Sequence, residues 1–160
     1  MVTNAPRNLV LTGFMGTGKS TVGRLVAALL GLRFVDSDAE IVAREGRSIS
    51  DIFAQDGEAA FRQIERAVIL ALTSQGGWVI ATGGGALINP ETRAVVEESN
   101  LVVCLTASPE TIETRLRGTE GARPLAAHWH TLFEQRRMVY ESFAHRIDTS
   151  RQSPQHTAQE

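Results

Sequence analysis

Gly13-Phe14-Met15-Gly16-Thr17-Gly18-Lys19-Ser20 fits the pattern G-x-x-x-x-G-K-[ST]. In this pattern the glycines let backbone N–H groups turn inward around an anion, and the helix that follows adds partial positive charge at its N-terminus. The lysine then reaches the terminal phosphates of a nucleotide, and the next hydroxyl offers an oxygen to Mg²⁺. Lys19 is the only lysine in the chain; the other fifteen of sixteen basic residues are arginine. A compact ammonium on a flexible stem suits a phosphate grip better than a planar guanidinium does.

A second group of residues is acidic. Asp36 and Asp38 sit two apart just past an apolar run, and in an extended stretch positions i and i+2 point the same way. A metal near the phosphates and a hydroxyl awaiting phosphorylation would each call for one carboxylate. The same D-S-D fragment also reads as a helix cap with acidic residues in the first turn. Further on, Thr82-Gly83-Gly84-Gly85 removes three successive side chains, which lets a ligand approach the backbone. Cys104 lies inside an apolar run and reads as a core thiol. His128 and His130 flank Trp129 with no further metal ligand nearby.

These loops need elements to hold them. Leu9 to Leu11 reads as a buried strand, and Lys19 to Leu30 repeats apolar residues at helical spacing until Gly31 closes the helix. Phe34-Val35 predicts a second strand, followed by a short helix to about Glu45, and Ser50 is the expected cap of the next helix. Glu58 to Leu72 is amphipathic through Phe61, Ile64, Val68 and Leu72. Trp78 to Ala81 and Leu101 to Leu105 predict strands, Asn89-Pro90 and Ser108-Pro109 helix starts, and Ile147 a short fifth strand. Strands alternating with helices imply an α/β fold with a parallel sheet covered on both faces, whose ligands gather at the strands' carboxyl ends. GFMGTGKS, DSD and TGGG all fall there. The tail from Arg151 to Glu160 is polar without an apolar face and is expected to fray.

Length and composition narrow the classes. At 160 residues the chain makes one domain at the usual ~100–200 residues per domain. With one cysteine it has no internal disulfide framework. Its apolar runs fall short of the ~20 residues that span a bilayer, and its first residues lack a signal-peptide pattern. A net charge of −2 argues against a general nucleic-acid binder. The expectation is a cytoplasmic monomer with neither membrane nor nucleic acid as partner.

GFMGTGKST, FVDSD, DIFAQDGEAAFRQIE, TGGGA and RPL, in this order and spacing, resemble the shikimate kinase family. The likeness covers about residues 8 to 154, and the block from Asp51 to Glu65 is far more family-specific than the phosphate loop. It implies a three-layer P-loop kinase fold: a five-stranded parallel sheet flanked by helices, a lid over about residues 118–135, and a shikimate-binding helical segment. It also implies transfer of the γ-phosphate of ATP, with Mg²⁺, to the 3-hydroxyl of shikimate in aromatic amino acid biosynthesis. By the resemblance Lys19, Asp38 and Arg123 are catalytic. ATP would be held by Gly16, Thr17, Gly18, Lys19, Ser20, Thr21, Arg117, Arg123 and Gln152. Shikimate would meet Asp38, Arg62, Gly84, Gly85 and Arg136, and Mg²⁺ would meet Ser20 and, through water, Asp36. Two arginine forks match a planar carboxylate, Glu65 one turn beyond Arg62 could fix its rotamer, and Phe53 and Phe61 could wall the ring.

The chain departs from the family pattern in three places. The stretch RPLAAHWHTLFEQR makes a short lid. Arg136-Arg137-Met138-Val139-Tyr140 stands where R-x-P-L-Y is usual, so Arg137 competes with Arg136 for the carboxylate. The apolar helix expected after Pro154 is missing, with the polar residues 155–160 in its place. A gluconate-type P-loop kinase and a kinase-like sensor that binds without turnover are the alternative readings.

Overall fold

The computed structural model describes residues 6–117 and 128–160. Five strands form one parallel sheet: β1 (Leu9–Thr12), β2 (Arg33–Asp36), β3 (Trp78–Ala81), β4 (Leu101–Thr106) and β5 (Arg146–Asp148). Their order is β2-β3-β1-β4-β5, with Leu9 in register with Val79 on one side and Leu101 on the other. Between them run α1 (Lys19–Leu30), α2 (Ser37–Glu45), α3 (Ile49–Asp56), α4 (Glu58–Thr73), α5 (Pro90–Ser99), α6 (Pro109–Leu116) and α7 (Trp129–Glu141), and α8 (Pro154–Gln159) follows β5. The chain leaves β1 toward one edge, while β4 and β5 fill the other. The loop after β1 therefore opens where the strand order reverses, the place open α/β sheets use for ligands.

Strand alternation divides the core. Val10, Ile80, Val102 and Cys104 pack with Ile69, Val96 and Ile112, whereas Leu11, Val79 and Leu105 pack with Val22, Val26 and Ala27 of α1. Neighbouring residues in one strand thus serve opposite faces, as a pleat with helices on both sides requires. At the amino ends of the strands, buried Asn8 accepts from Trp78 N and donates to Gln75 O and Asn100 Oδ1. That one amide ties β1 to the starts of β3 and β4.

Asn89 and Ser108 cap α5 and α6 with proline in the first turn, as expected, each cap typically contributing about 1 kcal/mol. Two expectations are corrected. Ser48, not Ser50, caps α3, accepting from Asp51 N at 3.0 Å. The tail is a helix as well: Ser153 caps α8, Thr157 is buried, and α8 packs on α1. Its buried residues are a threonine and a half-buried alanine, which apolar periodicity does not register.

Candidate active site

A crevice of about 380 Å³ opens at the carboxyl ends of β1, β2 and β3. The phosphate loop forms one wall. Gly18 turns into α1 at φ 97°, a left-handed conformation that glycine adopts without strain. Lys19 Nζ donates to the carbonyls of Gly13 and Phe14, both at 2.9 Å, so the ammonium is tied across its own loop. Gly16, Gly18, Ser20 and Thr21 line the crevice too. Thr17 is buried, with its hydroxyl donating to Phe14 O at 2.7 Å inside the loop.

Ser20 Oγ donates to Asp36 Oδ2 at 2.5 Å, joining the phosphate loop to the end of β2. The other oxygen of Asp36 caps α2 by accepting from Asp38 N and Ala39 N. The helix-cap reading of the D-S-D fragment therefore holds, and the remaining Asp36 oxygen faces the phosphate loop. Asp38 itself lies in the first turn of α2 rather than on an extended stretch, and it still lines the crevice. Ser20 and Asp36 supply adjacent hard oxygen donors at the nucleotide end, the kind Mg²⁺ takes alongside phosphates and water. These residues fit that cation.

The opposite wall comes from α4 and α7. Glu65 is only 3% exposed, and its Oε1 accepts from Arg62 Nη1 at 2.7 Å. Burial pushes the Glu65 carboxyl above its ordinary range, Arg62 opposes the rise and Asp38 adds to it. Burial also works against the charge on Arg62, but Glu65 and Glu58 outweigh it and raise its pKa. Phe53 and Phe61 also line the crevice, ring centroids 4.8 Å apart, with the Arg62 guanidinium 5.3 Å from the Phe61 ring.

The glycine turn after β3 is crowded from both sides. A Cβ on Gly85 would lie 2.6 Å from Arg62 Nη1, and one on Gly83 would lie 2.8 Å from both Asp38 Oδ1 and Glu65 Oε2. Only a residue without a side chain lets these two carboxylates converge. Sequence reasoning missed Gly83, because nothing local distinguishes it from the glycines after it. Arg136 lines the crevice beside Gly84, whereas Arg137 turns outward to Glu141 at 2.8 Å and is more than half exposed.

At the nucleotide end Arg115, which the sequence reading passed over, lines the crevice, and Arg117 does not. Arg115 Nη1 donates to Gly16 O and Thr149 Oγ1, both at 3.0 Å, and Nη2 donates to Thr149 O at 2.8 Å. Gln152 is occupied elsewhere, donating to Asp148 O and Glu160 Oε1. Arg123 lies outside the described residues, as does most of the expected lid; residues 129–135 begin α7. Cys104 is fully buried, and burial pushes its thiol up to about 11.

A parallel sheet with a phosphate loop after its central strand, facing a pocket of arginines, carboxylates and bare backbone, defines a P-loop kinase of small molecules. The chain belongs to the shikimate kinase family, whose sequence profile matches residues 15–160. The shikimate kinase of Geobacter sulfurreducens is 50% identical over 153 residues, 92% of this chain and 84% of the relative. The structure of shikimate kinase from Acinetobacter baumannii in complex with shikimate aligns with a TM-score of 0.89 at 36% identity, covering 98% of this chain and 90% of that one. A gluconokinase from Sinorhizobium meliloti, 20% identical with a TM-score of 0.59 over 96% of this chain and 89% of its own, shares the fold alone.

Proposed function

We propose that this chain transfers the γ-phosphate of ATP to the 3-hydroxyl of shikimate, giving shikimate 3-phosphate and ADP on the route to aromatic amino acids. One observation carries the reading: Lys19 and Ser20 share a single crevice with Asp38, Arg62 and Arg136. A triphosphate end and an acid-binding end thus meet within one small volume.

Phosphoryl transfer asks mainly for alignment and for neutralisation of charge on the transferring group. Lys19 leaves its loop carbonyls for the β- and γ-phosphates. Ser20 and, through water, Asp36 would hold Mg²⁺, which when bound neutralises phosphate charge. Arg62 and Arg136 grip the ring carboxylate, and two forks reject a neutral sugar. Asp38 takes the hydroxyls and aims the attacking one, and Gly84 and Gly85 offer N–H groups to the substrate. Gly16, Thr17, Gly18 and Thr21 complete the phosphate cradle. Arg123 acts on the transferring phosphate, and Arg117 and Gln152 belong to the adenine end, where Arg115 joins them. The enzyme works as a cytoplasmic monomer without nucleic-acid or membrane partners; no helix of the described residues is long and apolar enough to cross a membrane.

A coupled assay of ADP release with ATP and Mg²⁺ tests this against shikimate and gluconate. Turnover with shikimate alone is the expected result. Turnover with gluconate instead, or binding of both ligands without transfer, overturns it.

A further inference from the structure

Tyr140 closes the sequence block that contains Arg136, and nothing above gives it a task. It is 5% exposed, and its ring meets Phe14 of the phosphate loop edge to face with centroids 6.1 Å apart. Its hydroxyl donates to Gly84 O at 2.6 Å, across 56 residues of sequence. Burial pushes that hydroxyl up to about 12, and Arg136, one turn earlier on α7, opposes the rise. The phenol therefore stays protonated as a donor, with the Arg136 guanidinium beside it.

The peptide joining Gly84 to Gly85 is planar and trans, so its C=O and N–H point in opposite directions. Holding the Gly84 carbonyl on Tyr140 turns the Gly85 N–H away from α7. Among the described residues neither the Gly84 nor the Gly85 N–H has a protein acceptor. The flanking bonds, Ala86 N to Gly83 O and Ile88 N to Gly85 O, leave this peptide's own C=O and N–H untouched, and two glycines give it the freedom to turn.

We infer that Tyr140 is a positioning residue for the acid substrate: its hydroxyl locks the Gly84–Gly85 peptide, with an N–H directed at the substrate, in step with the Arg136 guanidinium. The inference rests on the kinase reading above. It extends that reading, because it makes one phenol responsible for aligning two separate substrate contacts.

Tyr140→Phe keeps the ring against Phe14 and removes only the hydroxyl. The expected result is a rise of about tenfold in KM for shikimate, the loss of one well-made hydrogen bond, with KM for ATP and kcat within twofold of wild type. A double-mutant cycle supplies the second readout. Tyr140→Phe should be non-additive with Arg136→Lys in shikimate KM and nearly additive with Arg115→Ala, which lies at the far end of the crevice. Equal shikimate KM in wild type and Tyr140→Phe overturns the inference, and so does a parallel rise in both KM values, the mark of a merely structural residue. Wild-type turnover of shikimate in the same assay tests the kinase reading separately, so the two can fail independently.

Discussion

The Thr149 hydroxyl donates to the Thr17 carbonyl at 2.9 Å, joining the loop after β5 to the phosphate loop over 132 residues of sequence. Arg115 braces the same junction from α6 by holding Thr149 and the Gly16 carbonyl together. This end of the crevice is thus a pair of loops pinned to each other by side-chain bonds. Arg115→Ala should raise KM for ATP about tenfold, in line with ~1.5 kcal/mol for hydrogen bonds to a charged group, and leave KM for shikimate unchanged. Arg117→Ala should have the smaller effect. Initial rates over an ATP series decide between the two arginines.

Lys19→Met should lower kcat at least about a thousandfold, the scale seen when a group that stabilises transition-state charge is lost. Shikimate binding, measured by calorimetry without nucleotide, should survive. Loss of both together would mean that the loop had collapsed rather than that the ammonium was missing.

Arg62→Ala removes a guanidinium proposed to grip the substrate carboxylate and leaves Glu65 buried without its partner. Its shikimate KM should rise by an amount equivalent to ~1.5–3 kcal/mol, with ATP affinity kept. An unchanged KM would reassign the carboxylate grip.

Gly83→Ala tests the convergence of Asp38 and Glu65, since its Cβ would meet both carboxylates at 2.8 Å. Overpacking of this kind costs about 1–3 kcal/mol, so both stability and shikimate affinity should fall. Gly76→Ala is the control: its Cβ would meet only Arg7 O, at 3.7 Å. Thermal melts and steady-state kinetics of the two variants should diverge.

Glu65 gives a pH signature. Its carboxyl titrates higher in the folded chain than the ordinary 4.5, so the native state binds that proton more tightly than the unfolded chain does. The stabilisation is full below 4.5 and is lost as pH rises from there through the raised value. In urea unfolding, the stability of wild type minus that of Glu65→Gln should be flat at low pH and fall across that window. A difference that grows with pH would mean that Arg62 outweighs burial and holds the carboxylate ionised.

How far the sequence carries depends on whether the information is local. α1 and β3 begin and end where apolar spacing and the flanking glycines place them, because period and caps are properties of short stretches. The family block from Asp51 to Glu65 and the phosphate loop likewise announced the kinase before any coordinate. What was hidden is long-range or lacks an apolar signature. Arg115 and Arg117 are two positions apart, but Arg115 lies in the last turn of α6 and Arg117 just past its end at ψ 130°, so the point where the helix stops decides which faces the crevice. Gly83 matters because of residues 45 and 18 positions before it. α8 escaped notice because its buried contacts come from a threonine and an alanine. Asp36 was legible as a cap, but its bond to Ser20, sixteen residues earlier, was not.

The solitary lysine, moored to two carbonyls of its own loop, has a practical corollary. Apart from an α-amino group, an acylating reagent meets a single primary amine in these 160 residues, and that amine sits in the loop proposed to hold the triphosphate. Mass spectrometry of lightly acetylated samples would then read nucleotide occupancy directly, with no engineered tag or fluorophore.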